Sequence, residues 1–438
     1  MGCRLTTGVQ PPGPRRRLSI ENLDGGRSDL PPGMGSFSEG GSALLAELAA
    51  KDLVDMCGAG GRKHCISSQT DDLSHTSFGS KTTFVAGDLN VDLAKHGLGY
   101  ACKKGLKPES PNQDSFIICV DNEEYSVYGV FDGHGRKGHD ISNFVKEIIP
   151  KVLAKDGNVL ADPIGALREA FGITQRLIEH ATSTEQLDAT RSGCTASVIL
   201  HDHARRKLYI AHVGDSRCVL ARKDPATTAP EKMWQAVDLT VDHKPNLPEE
   251  QQRIERNGGQ VRFDGASNYR VYAKGQRYPG LNMSRAMGDL LGVYHAGISS
   301  VPDVVEKSIA GEAEAGAAAA ETKPEEPRAP ARPSWSKFIP GVGGARAAQS
   351  AASYGPTLST HCIDPLHDKF VLLCSDGVWE FLTSHEAVQL VAQYPAEQAM
   401  GAAEQLACIS WDRWIQVMQG DVVDDITALV VHLDAPAL

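Results

Sequence analysis

Six sites in this sequence set an aspartate at the end of an apolar run, beside a small residue. They are Asp114 in PNQDSF, Asp132 in VFDGHG, Asp215 in VGDSR, Asp289 in SRAMGD, Asp376 in CSDGVWE, and Asp424 with Asp425 in VVDDIT. A strand followed at once by Asp-Gly places a carboxylate at the rim of a sheet, where glycine lets other backbone approach closely. Alone, such an aspartate caps a turn by bonding the backbone. Converging, the six would do chemistry: two carboxylates ~4 Å apart repel by roughly 4 kcal/mol at an effective dielectric near 20. A cluster must therefore take up protons or hold cations. Oxygen donors without nearby Cys or His pairs select Mg²⁺ or Mn²⁺.

The stretch VFDGHGRKGHD, residues 130 to 140, admits a second chemistry. Gly133, Gly135 and Gly138 have the G-x-G-x-x-G spacing of a dinucleotide-binding turn and follow a strand-like run. That reading requires an acidic residue ending a second strand about 20 residues past the last glycine. The region in question, AKDGNVLAD, reads instead as a turn after a helix.

The elements that must position these residues are short apolar runs separated by turns. Runs at 115–120, 125–131, 195–200, 207–213, 217–221, 369–374 and 426–433 read as buried strands. Helical stretches fall between them, in HDISNFVKEIIPKVLA, DPIGALREAFGITQRLIEHAT, PEEQQRIERNG, SHEAVQLVAQY and AEQAMGAAEQLACISWDRWI. The first two strands, and 207–213 with 217–221 across a Gly-Asp-Ser turn, are spaced as antiparallel hairpins. Strict β-α-β alternation is absent, which disfavours a doubly wound sheet. Residues 249–280 read as a helix and a flap near the site.

The chain has 438 residues with 41% hydrophobic content, enough for one large domain with appendages. A formal net charge of −11 argues against non-specific nucleic-acid binding. The ten cysteines are scattered, with no C-x-x-C pair, as in an intracellular protein with free thiols. Residues 1–82 read as a disordered arm carrying one amphipathic helix in Ser42–Cys57, and 83–438 as the domain. Residues 306–353, dominated by Ala, Glu, Pro and Gly, read as a low-complexity surface insertion.

No apolar run is long enough to span a membrane, and no secretory signal is present. The opening MGCRLT instead fits the N-myristoylation pattern at Gly2, with Cys3 open to palmitoylation and Arg15, Arg16 and Arg17 adding a basic patch. Ser19, in RRRLSI, is a candidate phosphorylation site that would cancel part of that charge. The expected location is cytoplasmic and membrane-associated.

The ordered set PNQDSF, VFDGHG, SGCTASVIL, VGDSR, TVDHKP, RIERNGGQV, NMSRAMGD, CSDGVWE and DDITALVV resembles the PPM family, the metal-dependent Ser/Thr protein phosphatases of type 2C. The likeness runs from about residue 98 to 434, interrupted by the insertion. It implies an α+β fold, a four-layer α/β/β/α sandwich of two antiparallel sheets flanked by helices, with the metal site at one rim. It implies two Mg²⁺ or Mn²⁺ ions, with Asp132 bridging them, the Gly133 carbonyl on the second, and Asp376 and Asp424 on the first. Asp114 would act through metal-bound water, and Asp215, Asp376 and Glu380 would form a weaker third site. His134 matches the proposed general acid. The implied reaction is hydrolysis of phosphoserine and phosphothreonine in protein substrates by a metal-bridging hydroxide, and a monomer is expected.

Three departures stand out. Where many members carry an arginine before the first aspartate, this chain has Glu109 and Ser110, leaving Lys103, Lys104 or Lys107 to anchor phosphate. Glu380 replaces a usual Asp, and Asp425 replaces a common Asn. The rival reading is an inactive, phosphoprotein-binding relative. The lipidation reading has its own test: mass spectrometry of the N-terminal peptide from native cells should show an acylated Gly2, and an unmodified Gly2 would end it.

Overall fold

The structure is a computed structural model that describes residues 39–51, 63–70, 81–87, 92–107, 110–121, 124–224, 227, 233–265, 268–304, 360–364 and 366–433. Gly2, Cys3, the three arginines, Ser19, Glu109 and the insertion at 306–353 lie outside the described residues. In chain order the strands are β1 (Lys63–Gln69), β2 (Thr82–Gly87), β3 (Leu98–Lys103), β4 (Ser115–Asp121), β5 (Tyr125–Phe131), β6 (Gly133–His134), β7 (Gly193–Cys194), β8 (Ala196–Asp202), β9 (Lys207–Val213) and β10 (Arg217–Lys223). There follow β11 (Trp234–Asp238), β12 (Gly259–Phe263), β13 (Tyr269–Ala273), β14 (Pro279–Leu281), β15 (Met287–Gly288), β16 (Asp303–Val304), β17 (Thr360–Cys362), β18 (Asp368–Cys374) and β19 (Ile426–His432). The helices are α1 (Glu39–Ala49), α2 (Gly138–Lys155), α3 (Pro163–Ser183), α4 (Pro248–Arg256), α5 (Leu290–Ala296), α6 (Asp376–Trp379), α7 (Ser384–Val391) and α8 (Ala399–Met418).

Side-chain alternation explains why the strands stack into layers. In β4, Phe116, Ile118 and Val120 pack toward the second sheet, while Ile117 and Cys119 pack toward helices. In β18, Val371 and Leu373 join the same inter-sheet core, while Phe370, Leu372 and Cys374 face α6, α7 and α8. A strand buried on both faces reads as a continuous apolar run, because period 2 sends neighbours into two different cores. The result is the expected four-layer α/β/β/α arrangement. The larger sheet is ordered β16-β9-β8-β5-β4-β1-β2, with β17 also on β9, and the smaller is β11-β10-β18-β19-β3. Their strand pairs are all antiparallel.

The expected hairpin of 207–213 with 217–221 does not form. β9 pairs with β8, whereas β10 pairs with β11 and β18 in the other sheet. The Gly214-Asp215-Ser216 link is a crossing between sheets: Gly214 takes a φ of 98°, and a Cβ there would meet Thr195 Cγ2 at 2.5 Å. Spacing alone cannot distinguish a tight turn from such a step.

The N-terminal boundary also differs from the expected one. Helix α1 spans 39–49, shorter than Ser42–Cys57, and β1 continues the larger sheet by pairing with β4. Leu44, Leu45 and Leu48 enter the core beneath α2 and α3, Ser42 Oγ lies 2.9 Å from His180 Nε2, and Lys151 Nζ donates to the Leu48 carbonyl at 2.9 Å. Polar residues in KHCISSQ masked this strand, since Ser68 and His64 are buried through hydrogen bonding and contact rather than hydrophobicity. At the insertion, β16 and β17 lie on consecutive stretches of the same β9 edge, so the chain leaves and returns at one place. Among the described residues no helix is long and apolar enough to cross a membrane.

If α1 belongs to the cooperative unit, Leu48→Ala, at a fully buried position, should lower the unfolding free energy by about 2–5 kcal/mol. Urea unfolding measures this, and a change under ~0.5 kcal/mol would show that α1 packs without contributing.

Candidate active site

The aspartates gather where the ends of β4, β5, β18 and β19 meet across the two sheets. Asp114 precedes β4, Asp132 follows β5, Asp376 opens α6 after β18, and Asp424 with Asp425 precedes β19. Asp114, Asp132, Asp424 and Asp425 are between 0% and 6% exposed. The sheets are laced together here by hydrogen bonds: Ser375 Oγ donates to Asp114 Oδ2 at 2.7 Å and accepts from Thr427 N at 3.0 Å. Asp425 is a latch, accepting from Gly105 N at 2.7 Å and Gln113 N at 2.9 Å. The same loop closes on β5, because Gly133 N donates to Gln113 O at 3.1 Å and a Cβ on Gly133 would lie 2.4 Å from Gly138 O.

These carboxylates perturb one another. Burial, then the charges of Asp425 and Asp424, push Asp114 up to about 7, against a partial offset from Ser375. Burial, then Asp376, Asp114 and Asp424, hold Asp132 well above the usual carboxylate range. Three lysines supply counter-charge. Lys107 Nζ pairs with Asp424, and Lys104 Nζ stands 3.8 Å from Asp425 while donating to the Lys107 carbonyl at 2.7 Å. Lys244 Nζ lies 2.5 Å from Asp215 Oδ2; burial lowers its pKa, but Asp215, Asp242 and Asp376 outweigh that and raise it. Lys103 points elsewhere, toward Cys408 Sγ at 2.9 Å.

Asp376, Glu380 and Asp424 line one cleft, which Asn268 and Arg270 of the β12-β13 hairpin also border. This hairpin, with β14, α4 and α5, forms the flap and carries its own small core around Ile254, Val271 and Ala286. A buried ion-pair network ties it down. Burial pushes Glu250 up, but Arg285 and Arg253 overcome that and bring it down to about 2. Arg285 also reaches Asp303 at 2.6 Å.

Among the described residues no three His, Cys, Asp or Glu side chains are drawn into a ready-made metal cage. The donor set nonetheless fits a hard divalent cation. It is all oxygen, and Asp114 Oδ1 and Asp215 Oδ1 are buried without a hydrogen-bond partner. Asp215 does not line that cleft; its ion-pair partner Lys244 also feels the charge of Asp376. His134 sits beside the cluster on β6, its Nε2 donating to Asp289 Oδ2 at 2.6 Å. Sequence reasoning offered Lys107 as one of three possible phosphate anchors and Asp289 as one of six strand-end aspartates, but gave no role to Lys244 and did not pair Asp289 with His134. The lysine in TVDHKP and the aspartate closing SRAMGD were the available signals.

A family model described as protein phosphatase 2C matches residues 106–315 and 322–410. "Probable protein phosphatase 2C 48" of Oryza sativa subsp. japonica is 31% identical over 350 residues, covering 74% of this chain and 81% of the relative. "Probable protein phosphatase 2C 72" of Arabidopsis thaliana is 27% identical over 388 residues, covering 84% and 97%. Among solved structures, the serine-threonine phosphatase 2C from Toxoplasma gondii superposes with a TM-score of 0.53 at 19% identity, covering 76% of this chain and 94% of that one. At that identity the likeness speaks to fold.

The raised carboxylates give a pH prediction. A carboxyl whose pKa rises on folding holds more protons folded than unfolded, so its contribution to stability falls as pH rises from the ordinary value near 4 toward about 7 for Asp114. In chelator-treated protein the thermal midpoint should drop across that window. Added Mn²⁺ should raise it more near about pH 7.5 than near about pH 5. Equal shifts at both pH values would contradict the picture.

Proposed function

The chain belongs to the protein phosphatase 2C family, and from that premise we propose that it is a divalent-metal-dependent phosphatase hydrolysing phosphoserine and phosphothreonine in proteins. The observation that carries this reading is the set of buried Asp114, Asp132 and Asp424 with half-buried Asp376, gathered at the junction of both sheets, where their charges raise Asp114 and Asp132. Asp132, the Gly133 carbonyl, Asp376 and Asp424 would hold two Mg²⁺ or Mn²⁺ ions with support from Asp114. Asp215 and Glu380 would join Asp376 at a weaker third position. When bound, the cations supply Lewis-acid neutralisation of phosphoryl oxygens and acidify water.

The remaining work falls to the chain's own groups. Of the three candidate lysines, Lys107 is the one whose ammonium meets the Asp424 carboxylate, so it is assigned to the substrate phosphate. A cation at Asp424 would release it for that contact. His134 donates the proton that the departing Ser or Thr oxygen requires, since imidazole is the side chain best suited to that transfer near neutral pH. The flap borders the cleft through Asn268 and Arg270 and would meet the polypeptide on either side of the phosphoresidue. Peripheral membrane attachment through Gly2 and Cys3, and action as a cytoplasmic monomer, complete the proposal on the N-terminal motif and the resemblance.

The test is Mn²⁺-dependent release of phosphate from a phosphothreonine peptide. His134→Ala should lower kcat by about 10²–10⁴-fold with Mn²⁺ binding intact by calorimetry, whereas Asp132→Ala should lose both. Full activity in Asp132→Ala would refute the assignment. No release by wild type that binds Mn²⁺ would favour a phosphoprotein-binding module.

A further inference from the structure

Asp289 is built in an unusual way for its position. It stands at the N-cap of α5, yet its side chain makes no capping hydrogen bond. Capping aspartates ordinarily stabilise the first turn by accepting from its free N–H groups. Its φ is 47°, in the left-handed region that non-glycine residues seldom occupy. It is 2% exposed. The carboxylate forgoes the helix and accepts instead from His134 Nε2 at 2.6 Å.

The surroundings hold it there. Strands β6, β7 and β15 form a small antiparallel sheet in the order β15-β7-β6, which sets Gly133 against Cys194, His134 against Gly193, and Gly193 against Gly288. Asp289 N donates to Ser192 O at 2.9 Å, fixing the backbone next to β7. Space for the carboxylate comes from Gly193, where a Cβ would lie 2.3 Å from Asp289 Oδ2. A strained backbone, a forgone cap and a glycine void all serve one contact. Strain retained in this way is the mark of a functional constraint.

We infer that Asp289 is the positioning residue for His134, holding Nε2 so that Nδ1 is the nitrogen presented to the leaving group. This rests on the phosphatase reading above and assigns a residue within it. As phosphorus–oxygen bond cleavage proceeds, the departing Ser or Thr oxygen takes the proton from His134 Nδ1. Water adds its oxygen to phosphorus and returns a proton to the imidazole, so ester and water become alcohol and inorganic phosphate. Asp289 takes no part in the transfer itself; as an acceptor on Nε2 it fixes ring orientation and tautomer, as a buried carboxylate does in hydrolase triads.

A general acid matters when the leaving group is a poor one, which separates this role from a structural one. With Mn²⁺ and full-length protein, Asp289→Asn should lower kcat on a phosphothreonine peptide by about 10- to 100-fold. Hydrolysis of p-nitrophenyl phosphate, whose leaving group departs without a proton, should change by less than about threefold, with KM similar for both. In a His134→Asn background, Asp289→Asn should add no further loss, because the two act as a unit. Equal losses on both esters, or additive losses in the double variant, would overturn the inference while leaving the phosphatase reading in place. A wild-type chain that hydrolyses neither ester would overturn both. Should Asp289→Asn fail to fold by circular dichroism, Asp289→Glu tests the same split, and unchanged peptide turnover with the displaced carboxylate would count against it.

Discussion

Like-charge repulsion among buried carboxylates is the constraint around which this molecule is organised. At the meeting point of two sheets, Asp376, Asp424 and Asp425 come close enough to Asp114 and Asp132 to raise the pKa values of those two carboxyls. Two ionised carboxylates ~4 Å apart would oppose folding by roughly 4 kcal/mol at an effective dielectric near 20, against a total stability of about 5–15 kcal/mol for an ordinary domain. No fold tolerates several such pairs without counter-charge. The lysines on Asp424 and Asp215, the backbone N–H groups on Asp425 and the hydroxyl on Asp114 are partial answers. Proton uptake by Asp114 and Asp132, or the divalent cations of the proposed function, would supply the rest.

The sandwich is what makes the gathering possible. Because β4 and β5 belong to one sheet while β18 and β19 belong to the other, the rim draws ligands from distant parts of the chain and fixes them to rigid strand ends. Backbone must come unusually near backbone there. Gly377 shows how far, since a Cβ on it would lie 2.1 Å from the Asp425 carbonyl. The glycine after Asp376 thus matters for closing α6 onto the strand that carries Asp424 and Asp425, separately from any contact with a ligand. His134 is held by a different device, the β6-β7-β15 sheet, which joins the carboxylate rim at Asp132–Gly133 and through Gln113 Nε2, which donates to Gly135 O at 2.6 Å.

Much of this could be read from the residues, and the exceptions have physical causes. Strands such as 125–131 and 207–213 were legible because burial on both faces leaves unbroken apolar runs. Partner choice was not, as the step at Gly214 shows, since a three-residue link can either turn or cross between sheets. β1 escaped because its buried polar residues carry no hydrophobic signal. The site aspartates were visible as strand-end Asp-Gly and Asp-Ser pairs, but convergence is a property of the fold. Lys107, Lys244 and the His134–Asp289 pair depend on contacts between segments up to 317 residues apart in sequence, which no local pattern encodes. Asp425, where many members carry Asn, adds a negative charge that helps raise Asp114 and also accepts from backbone N–H groups of the facing loop, a contact invisible in the residues alone.

The proposed chemistry requires that the carboxylate rim take up divalent cations between the two sheets. Anomalous X-ray diffraction at the manganese edge, from crystals grown with Mn²⁺, addresses this directly. Anomalous peaks are expected in contact with Asp132, Asp376 and Asp424, with the Lys107 ammonium displaced from Asp424. Crystals saturated with Mn²⁺ that show no peak at this rim and keep Lys107 on Asp424 would contradict that chemistry.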